Sequence, residues 1–333
     1  LMIKSLQAQA IRRGIQKSQS QKKLLSISNL KMDKNYCGYV SIIGKPNVGK
    51  STIINTILDK KVSITSRKSQ TTRNNILGIK NIKNKQMIFI DTPGMHIKSQ
   101  KTMNKILNKS AQGIIEDSDI ILFVLQRLSL DQQDKLILEK LDNINPKIIC
   151  VINKIDQVED KNKLLPFIAR LSEEYAFEEI HMISAKHNDG IDNLINTIEN
   201  HLPENNHIYD DSFKLQAKDD SFMFSELIRE KIIRKLGDEL PHDTFVEIDL
   251  IKEKEGIIKV HAIIYVSRQS QKQIVIGSKG EVLKQIGKQA RLEIEKYLNK
   301  KVFLKTWVKV KKNWNTDSGF IQSLGVGGNY ESE

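Results

Sequence analysis

The chain has 333 residues, 39% of them apolar and 28% charged, and a formal net charge of +13. That leaves room for two globular domains with separate cores, and the longest apolar run, Ile120–Leu125, is far too short to span a bilayer. Cys37 and Cys150 are the only cysteines, and the seven histidines have no ligand spacing, so neither a disulfide framework nor a thiolate metal site is expected and a reducing, cytoplasmic compartment fits.

Residues 1–31 carry seven Lys or Arg and no acid, a basic extension expected to be disordered or not native. Their composition is that of a transit peptide. The chain opens on Leu1, however, and Met32 stands just ahead of the compact pattern, so a start at Met32 is the favoured reading.

Tyr39–Ile43 reads as a buried strand, and Thr52–Leu58 carries apolar residues at helical spacing. Between them lies Gly44-Lys45-Pro46-Asn47-Val48-Gly49-Lys50-Ser51, which fits the pattern G-x-x-x-x-G-K-S/T in the strand–loop–helix setting that makes it a phosphate site. The glycines let successive N–H groups turn toward phosphate oxygens, and the helix adds its positive end. Lys50 is expected to reach the β and γ phosphates and the Ser51 hydroxyl to hold Mg²⁺.

A polar stretch, Lys60–Asn75, precedes strands at Ile76–Ile79 and Met87–Ile90. Ile120–Leu125 and Ile148–Ile152 are short buried strands, Met182-Ile183 a brief one, and Asp131–Leu141, Lys161–Tyr175 and Ile191–Leu202 are helices. This alternation predicts an α/β domain over residues 32–203, with a mixed, mostly parallel sheet and helices on both faces. Residues 204–220 form a polar linker. A helix at Phe222–Leu236, strands at Thr244–Ile251 and Ile257–Val266, a short helix or turn at Lys272–Ile276, a helix at Glu281–Leu298 and a strand at Val302–Val310 follow, giving a small α+β domain over 221–314. Residues 315–333 read as an unpacked tail. The second domain is electrically polarised: residues 204–267 carry a net −5 and residues 268–312 a net +10. A basic segment of that density points to nucleic acid.

Three further motifs select the nucleotide. Asp91-Thr92-Pro93-Gly94 follows the strand ending at Ile90, where Asp91 can hold Mg²⁺ through water and the Gly94 N–H can touch the γ phosphate. Asn153-Lys154-Ile155-Asp156 follows the strand ending at Ile152. A carboxylate only accepts, and guanine, unlike adenine, offers N1–H and N2–H₂ as a matched pair of donors, so Asp156 selects guanine. Ser184-Ala185-Lys186 supports the base from the other side, with a backbone N–H for guanine O6.

Together these motifs resemble the translation-factor-related GTPases and, over about Met32 to Leu324, the Era-like GTPase family with a C-terminal type II KH domain. The resemblance implies a Mg²⁺-dependent GTPase that binds GTP and GDP and cycles between two states. It places the second GTPase motif at Gln70-Thr71-Thr72-Arg73, with Thr72 closing over Mg²⁺ and the γ phosphate. It makes Gly277-Ser278-Lys279-Gly280 the G-x-x-G loop, which presses backbone against nucleic-acid phosphates, with Ile276 beside it and Lys284, Lys288 and Arg291 on the next helix. Read alone, that loop is a common glycine turn; the basic flank and Trp314 strengthen the RNA reading. The family's ligand is the 3′ end of 16S ribosomal RNA and its role 30S subunit assembly, so GTP, 16S rRNA and the 30S subunit are the expected partners of a monomer. The alternative is a regulatory switch whose small domain binds a protein or, peripherally, the inner face of the cell membrane.

Met95 stands after Gly94, where Ras-like enzymes carry the glutamine that orients water. Hydrolysis is therefore expected to be slow. In related GTPases an asparagine at the Asn47 position helps bind K⁺, so Lys50, Thr72, Asp91, Gly94 and Asn47 form the expected catalytic set, with K⁺ as a second ion.

Overall fold

The computed structural model describes residues 34–63, 76–91, 113–141, 144–210, 220–236, 244–312 and 314. The first domain is a six-stranded sheet in the order β2-β3-β1-β4-β5-β6. Its strands are β1 (Tyr36–Ile43), β2 (Ile76–Ile82), β3 (Lys85–Asp91), β4 (Ile120–Gln126), β5 (Lys147–Asn153) and β6 (Glu179–Met182). Its helices are α1 (Lys50–Ile57), α2 (Gln132–Leu141), α3 (Leu164–Glu174) and α4 (Ile191–His201). Only β2 runs antiparallel, joined to β3 by a tight turn; β1, β3, β4, β5 and β6 are parallel.

The unbroken apolar run in β4 has a direct physical cause. Ile120, Leu122 and Val124 join the core under α1 and α4, whereas Ile121, Phe123 and Leu125 join the core under α2 and α3. A strand covered on both faces has no side left for polar residues. Parallel pairing then brings the carboxyl ends of β1, β3, β5 and β6 to one sheet edge, where ligands bind in open α/β sheets. The sixth strand is Glu179–Met182 rather than Met182-Ile183: alternation around a four-residue edge strand is too weak to set its bounds, and Ile183 lies just beyond, fully buried.

The second domain is built from α5 (Asp220–Lys235), β7 (Thr244–Lys254), β8 (Ile257–Val266), α6 (Gln269–Ile276), α7 (Glu281–Leu298) and β9 (Lys301–Val310). The sheet order is β7-β8-β9, with β7 antiparallel and β9 parallel to β8. Val260, Ala262, Ile264, Val302 and Val308 pack against Leu227 and Ile228 of α5 and Ile286, Ala290 and Ile294 of α7. All three helical positions of α7 share one stripe at spacings of four, and the stripe faces the sheet.

Among the described residues, the first domain grips both the segment that leaves it and the second domain, where Phe222 packs on the first core and Lys60 Nζ stands 5.9 Å from the Tyr297 ring. Buried Gln86 accepts hydrogen bonds from Ile208 N (2.9 Å) and Tyr209 N (3.0 Å), and its Nε2 donates to Tyr209 O (2.7 Å), so residues 208–209 are pinned to β3. Lys61 Nζ donates to Glu230 of α5 at 2.7 Å and to Glu293 of α7 at 2.8 Å. Lys61 and Lys231 outweigh burial and draw the Glu293 carboxyl down to about 2.

Gln86→Leu removes the Gln86 hydrogen bonds to Ile208 N, Tyr209 N and Tyr209 O, and such bonds contribute about 0.5–1.5 kcal/mol each. The expected result is a lower urea midpoint and faster chymotryptic cleavage at Tyr209; an unchanged midpoint and cleavage rate would remove the anchoring role.

Candidate functional site

The loop between β1 and α1 is shaped by backbone that other residues resist. Gly49 has φ +107°, and a Cβ there would stand 2.2 Å from Asn153 Nδ2. Lys50 is buried, and its Nζ donates to Gly44 O and Lys45 O, both at 2.9 Å, holding the loop closed around the ammonium. Burial pushes this lysine down to about 8, with Asp91 pulling the other way. A cation held in so little solvent attracts phosphate more strongly than one in water. Pro46 and exposed Asn47 form the tip of the loop, Asn47 in the left-handed region at φ +68°, and Val48 is buried beneath it.

Asp91 closes β3 and is fully buried. Its Oδ2 accepts from Ser51 Oγ at 2.8 Å and from Ser63 Oγ at 2.7 Å. A serine hydroxyl beside a buried carboxylate is a hard-oxygen donor set, and it fits Mg²⁺, which takes oxygen ligands and keeps several waters. Ser63 belongs to none of the sequence motifs. It is held by Asn55, whose Oδ1 accepts from Val62 N and Ser63 N, both at 2.9 Å, and whose Nδ2 donates to Ser63 O at 2.7 Å.

Asn153 closes β5 and links two loops at once. Its Nδ2 donates to Val48 O at 2.9 Å and its Oδ1 accepts from Ala185 N at 3.1 Å. Lys154 lies over the phosphate loop, donating to Asn47 O and to Gln126 Oε1. Asp156 accepts a 2.6 Å hydrogen bond from Ser184 Oγ, which holds its carboxyl below the usual carboxylate range. Lys186 is exposed beside it. One carboxylate oxygen is thus oriented by Ser184, and a donor pair such as guanine N1–H and N2–H₂ suits this acceptor.

Lys45 is missed by a motif that reads only backbone there. Its ammonium pairs with Asp131 (2.6 Å) and buried Asp134 (2.7 Å) at the start of α2. Burial alone would lower Lys45, but the two carboxylates raise it, and it draws Asp131 down in return.

In the second domain, α6 is capped by Gln271 Oε1, which accepts from Ser267 N and Arg268 N. It ends at Gly277, where φ is +73° and a Cβ would meet Val282 at 2.3 Å, so the chain reverses there into α7. Ser278 and Lys279 are exposed at the tip, Gly280 has open space around it, and Ile276 lies half-buried against the core. Lys284 and Lys288 are exposed on α7, while Arg291 is engaged by Glu295 at 3.0 Å. Trp314, read above as strengthening the RNA case, is fully buried beside Phe245 and offers no ring to a base. Thr72, Thr92, Pro93, Gly94 and Met95, with residues 1–31 and 315–333, lie outside the described residues.

A family model described as a 50S ribosome-binding GTPase matches residues 39–154, and a KH domain model matches residues 239–315. GTPase Era of Pseudomonas fluorescens (strain Pf0-1) is 43% identical over 291 residues, covering 87% of this chain and 97% of the relative. GTPase Era of Coxiella burnetii (strain RSA 331 / Henzerling II) is 43% identical over 294 residues, covering 88% and 99%. Two solved structures are 35% identical, each with a TM-score of 0.83 over 87% of this chain and 99% of the other. One is a point variant of Aquifex aeolicus Era bound to GDP·AlF4⁻, and the other is Era in complex with MgGDPNP and nucleotides 1506–1542 of 16S ribosomal RNA.

Asp156→Asn sets an amide N–H₂ or a single carbonyl against two donors, and guanine nucleotide affinity by calorimetry is expected to fall at least about 100-fold. Because the Ser184 hydrogen bond depresses the Asp156 carboxyl, it stays ionised through the ordinary carboxylate range, so guanine preference should be flat from about pH 8 to pH 5 and be lost only below that range. A preference that titrates near neutrality would assign selection to another group.

Proposed function

The chain belongs to the GTPase Era family, and on that footing we propose that it is a GTP-driven switch that binds the 3′-end region of 16S ribosomal RNA and assists assembly and maturation of the 30S subunit. It is a GTPase by family and fold. The observation that carries the RNA reading is the match, along 87% of this chain, to an Era structure holding both MgGDPNP and a 16S fragment. The protein acts as a cytoplasmic monomer. No helix among the described residues is long and apolar enough to cross a membrane.

The residues divide the work as follows. The loop from Gly44 to Ser51 cradles the phosphates with backbone N–H groups, and Lys50 places a positive charge on the β and γ oxygens. Ser51 and Thr72 directly, and Asp91 through water, would hold Mg²⁺, which when bound would supply positive charge to the phosphate oxygens. The Gly94 N–H, with Thr92, Pro93 and Met95 around it, contacts the γ phosphate. Asn153 and Lys154 brace the loop, Asp156 and Ser184 select guanine, and Ala185 and Lys186 line the other side of the base. Met95 cannot orient water, so hydrolysis is slow, and Asn47 would help hold a K⁺ ion that would supply positive charge near the phosphates.

RNA phosphates sit against Gly277, Ser278, Lys279 and Gly280, with Ile276 facing the bases and Lys284, Lys288 and Arg291 along the strand. Nucleotide state reaches this domain through Lys61, one residue into the polar stretch that GTP orders.

Lys50→Ala is expected to abolish GTP binding in calorimetry. Gly280→Asp should leave turnover intact and weaken binding of a 16S 3′-end oligonucleotide, because a carboxylate then faces phosphate; unchanged RNA affinity would sink the RNA assignment. Turnover should be faster in KCl than in NaCl at equal ionic strength, and equal rates would remove K⁺ from the mechanism.

A further inference from the structure

The three-stranded sheet of the second domain has two faces, and helices cover only one of them among the described residues. The opposite face follows from the strand register. On β9 the outward positions are Lys301, Phe303, Lys305, Trp307 and Lys309, alternating with Val302, Leu304 and Val308, which point to the core. Pairing sets Lys259 beside Phe303, His261 beside Lys305, and Tyr265 beside Lys309. Lys252 of β7 lies opposite Lys259. Glu247 and Asp249 are the acids at this face among the described residues: Glu247 pairs with Ile263 in the row of Trp307 at the far edge of the sheet, where it bonds Tyr265, and Asp249 lies at the β7 bulge next to it.

This surface departs from what an ordinary exposed sheet face shows. Phe303 is 52% exposed and Trp307 36%. Trp307 is held upright by the ring of His261, edge-on at 5.2 Å, and Lys305 Nζ stands 4.9 Å from its centroid. Same-face residues two apart along a strand lie about 6.6 Å from each other. One strand therefore offers lysine, ring, lysine, ring, lysine in a row, with Lys259 and Lys252 extending the charge sideways.

We propose that this helix-free face is a second contact surface for single-stranded RNA, in which bases stack on Phe303 and Trp307 and phosphates pair with Lys259, Lys301, Lys305 and Lys309. It rests on the RNA reading of the second domain and is separate from the G-x-x-G loop, which lies at the junction of α6 and α7 on the helical side. The chemistry favours RNA over a protein occupant. Protein interfaces are depleted of lysine at their centres, and these lysines stand between the rings rather than around them. Aromatic rings interleaved with cations are what strand binding without base readout uses.

The test uses the full chain and its own fluorescence. Trp307 and Trp314 are the only tryptophans, and Trp314 is buried, so Trp307 is the reporter. Titration with an oligouridylate of about a dozen nucleotides is expected to quench emission in wild type and in Gly280→Asp, and not in Trp307→Phe. Lys305→Glu with Lys309→Glu, both on exposed side chains, should weaken that quench about 10-fold or more and reduce the salt dependence by about one counterion per lysine removed. Retained binding with no Trp307 response, or a response abolished by Gly280→Asp, confines RNA to the loop and overturns this surface while the RNA reading stands. Absence of RNA binding by either route overturns both. Quenching by phosphatidylglycerol vesicles but not by RNA assigns the face to lipid, and an RNA response that appears only after removal of residues 315–333 assigns it to the chain's own tail; each overturns the proposal.

Discussion

The nucleotide site depends on one buried amide. Asn153 donates to Val48 O in the phosphate loop and accepts from Ala185 N in the loop after β6. It also stands where Gly49 has no side chain, so loop and amide occupy a space that neither could share with a Cβ. An asparagine can do this because it presents a donor and an acceptor about as far apart as two backbone groups; an aspartate presents only acceptors. With that bracket in place, the distance between the phosphate end and the base end of the site is set by the parallel sheet and not by loop mobility. Lys154 adds a second brace from the same strand end by reaching Asn47 O.

The same economy of contacts joins the domains. Glu230 is fully buried, and a buried carboxylate is tolerable only when paired. It meets Lys61 from the first domain at 2.7 Å and its own helix neighbour Lys231 at 3.6 Å, with Arg234 also against it. Moving Lys61 away would leave Glu230 with partners on α5, so the second domain does not unravel when the contact opens. That asymmetry suits a joint that opens and closes, because breaking the contact strands no charge in an apolar place. Gln86 behaves differently: its three bonds to residues 208–209 are to backbone, and they hold the exit from the first domain without any charged group.

The loops that bind phosphate and base were readable in the chain because their function is local. A glycine that needs a left-handed backbone, a lysine that must lie beneath it and a carboxylate at a strand end are each specified within a few residues. β4 was readable for the opposite reason, since burial on both faces leaves nothing but apolar residues to see. What escaped depends on partners far away in sequence. Lys45 finds Asp131 and Asp134, Ser63 finds Asp91, and Gln86 takes hold of residues 208–209 more than a hundred positions on. The tryptophans show the limit most clearly. Trp314 follows the basic strand and looked available, yet it is buried beside Phe245, whereas Trp307 sits in plain alternation with Val308 and is the exposed ring. Period-two counting along β9 from the buried Val302 was the signal that would have separated them.

The charge pattern of the second domain now has a structural meaning. Its acidic half, residues 204–267, includes α5, where Glu226 binds Arg229 at 2.6 Å and Glu230 receives Lys61, so these carboxylates are spent on internal and interdomain pairing. The basic half supplies α7 and β9, and there most cations face water: Lys284 and Lys288 on the helix, Lys301, Lys305 and Lys309 on the strand. The acids of α5 turn inward while the cations of α7 and β9 face water, which makes those surfaces positive, and exposed acids on β7, Glu247 and Asp249 among them, keep the domain's net charge small enough to limit self-repulsion. The exposed cations also fall on two surfaces divided by the core of Val260, Ile264 and Ile294. A single-stranded polyanion long enough to pass from one surface to the other gains from both, because the second contact forms at the high effective concentration set by the first.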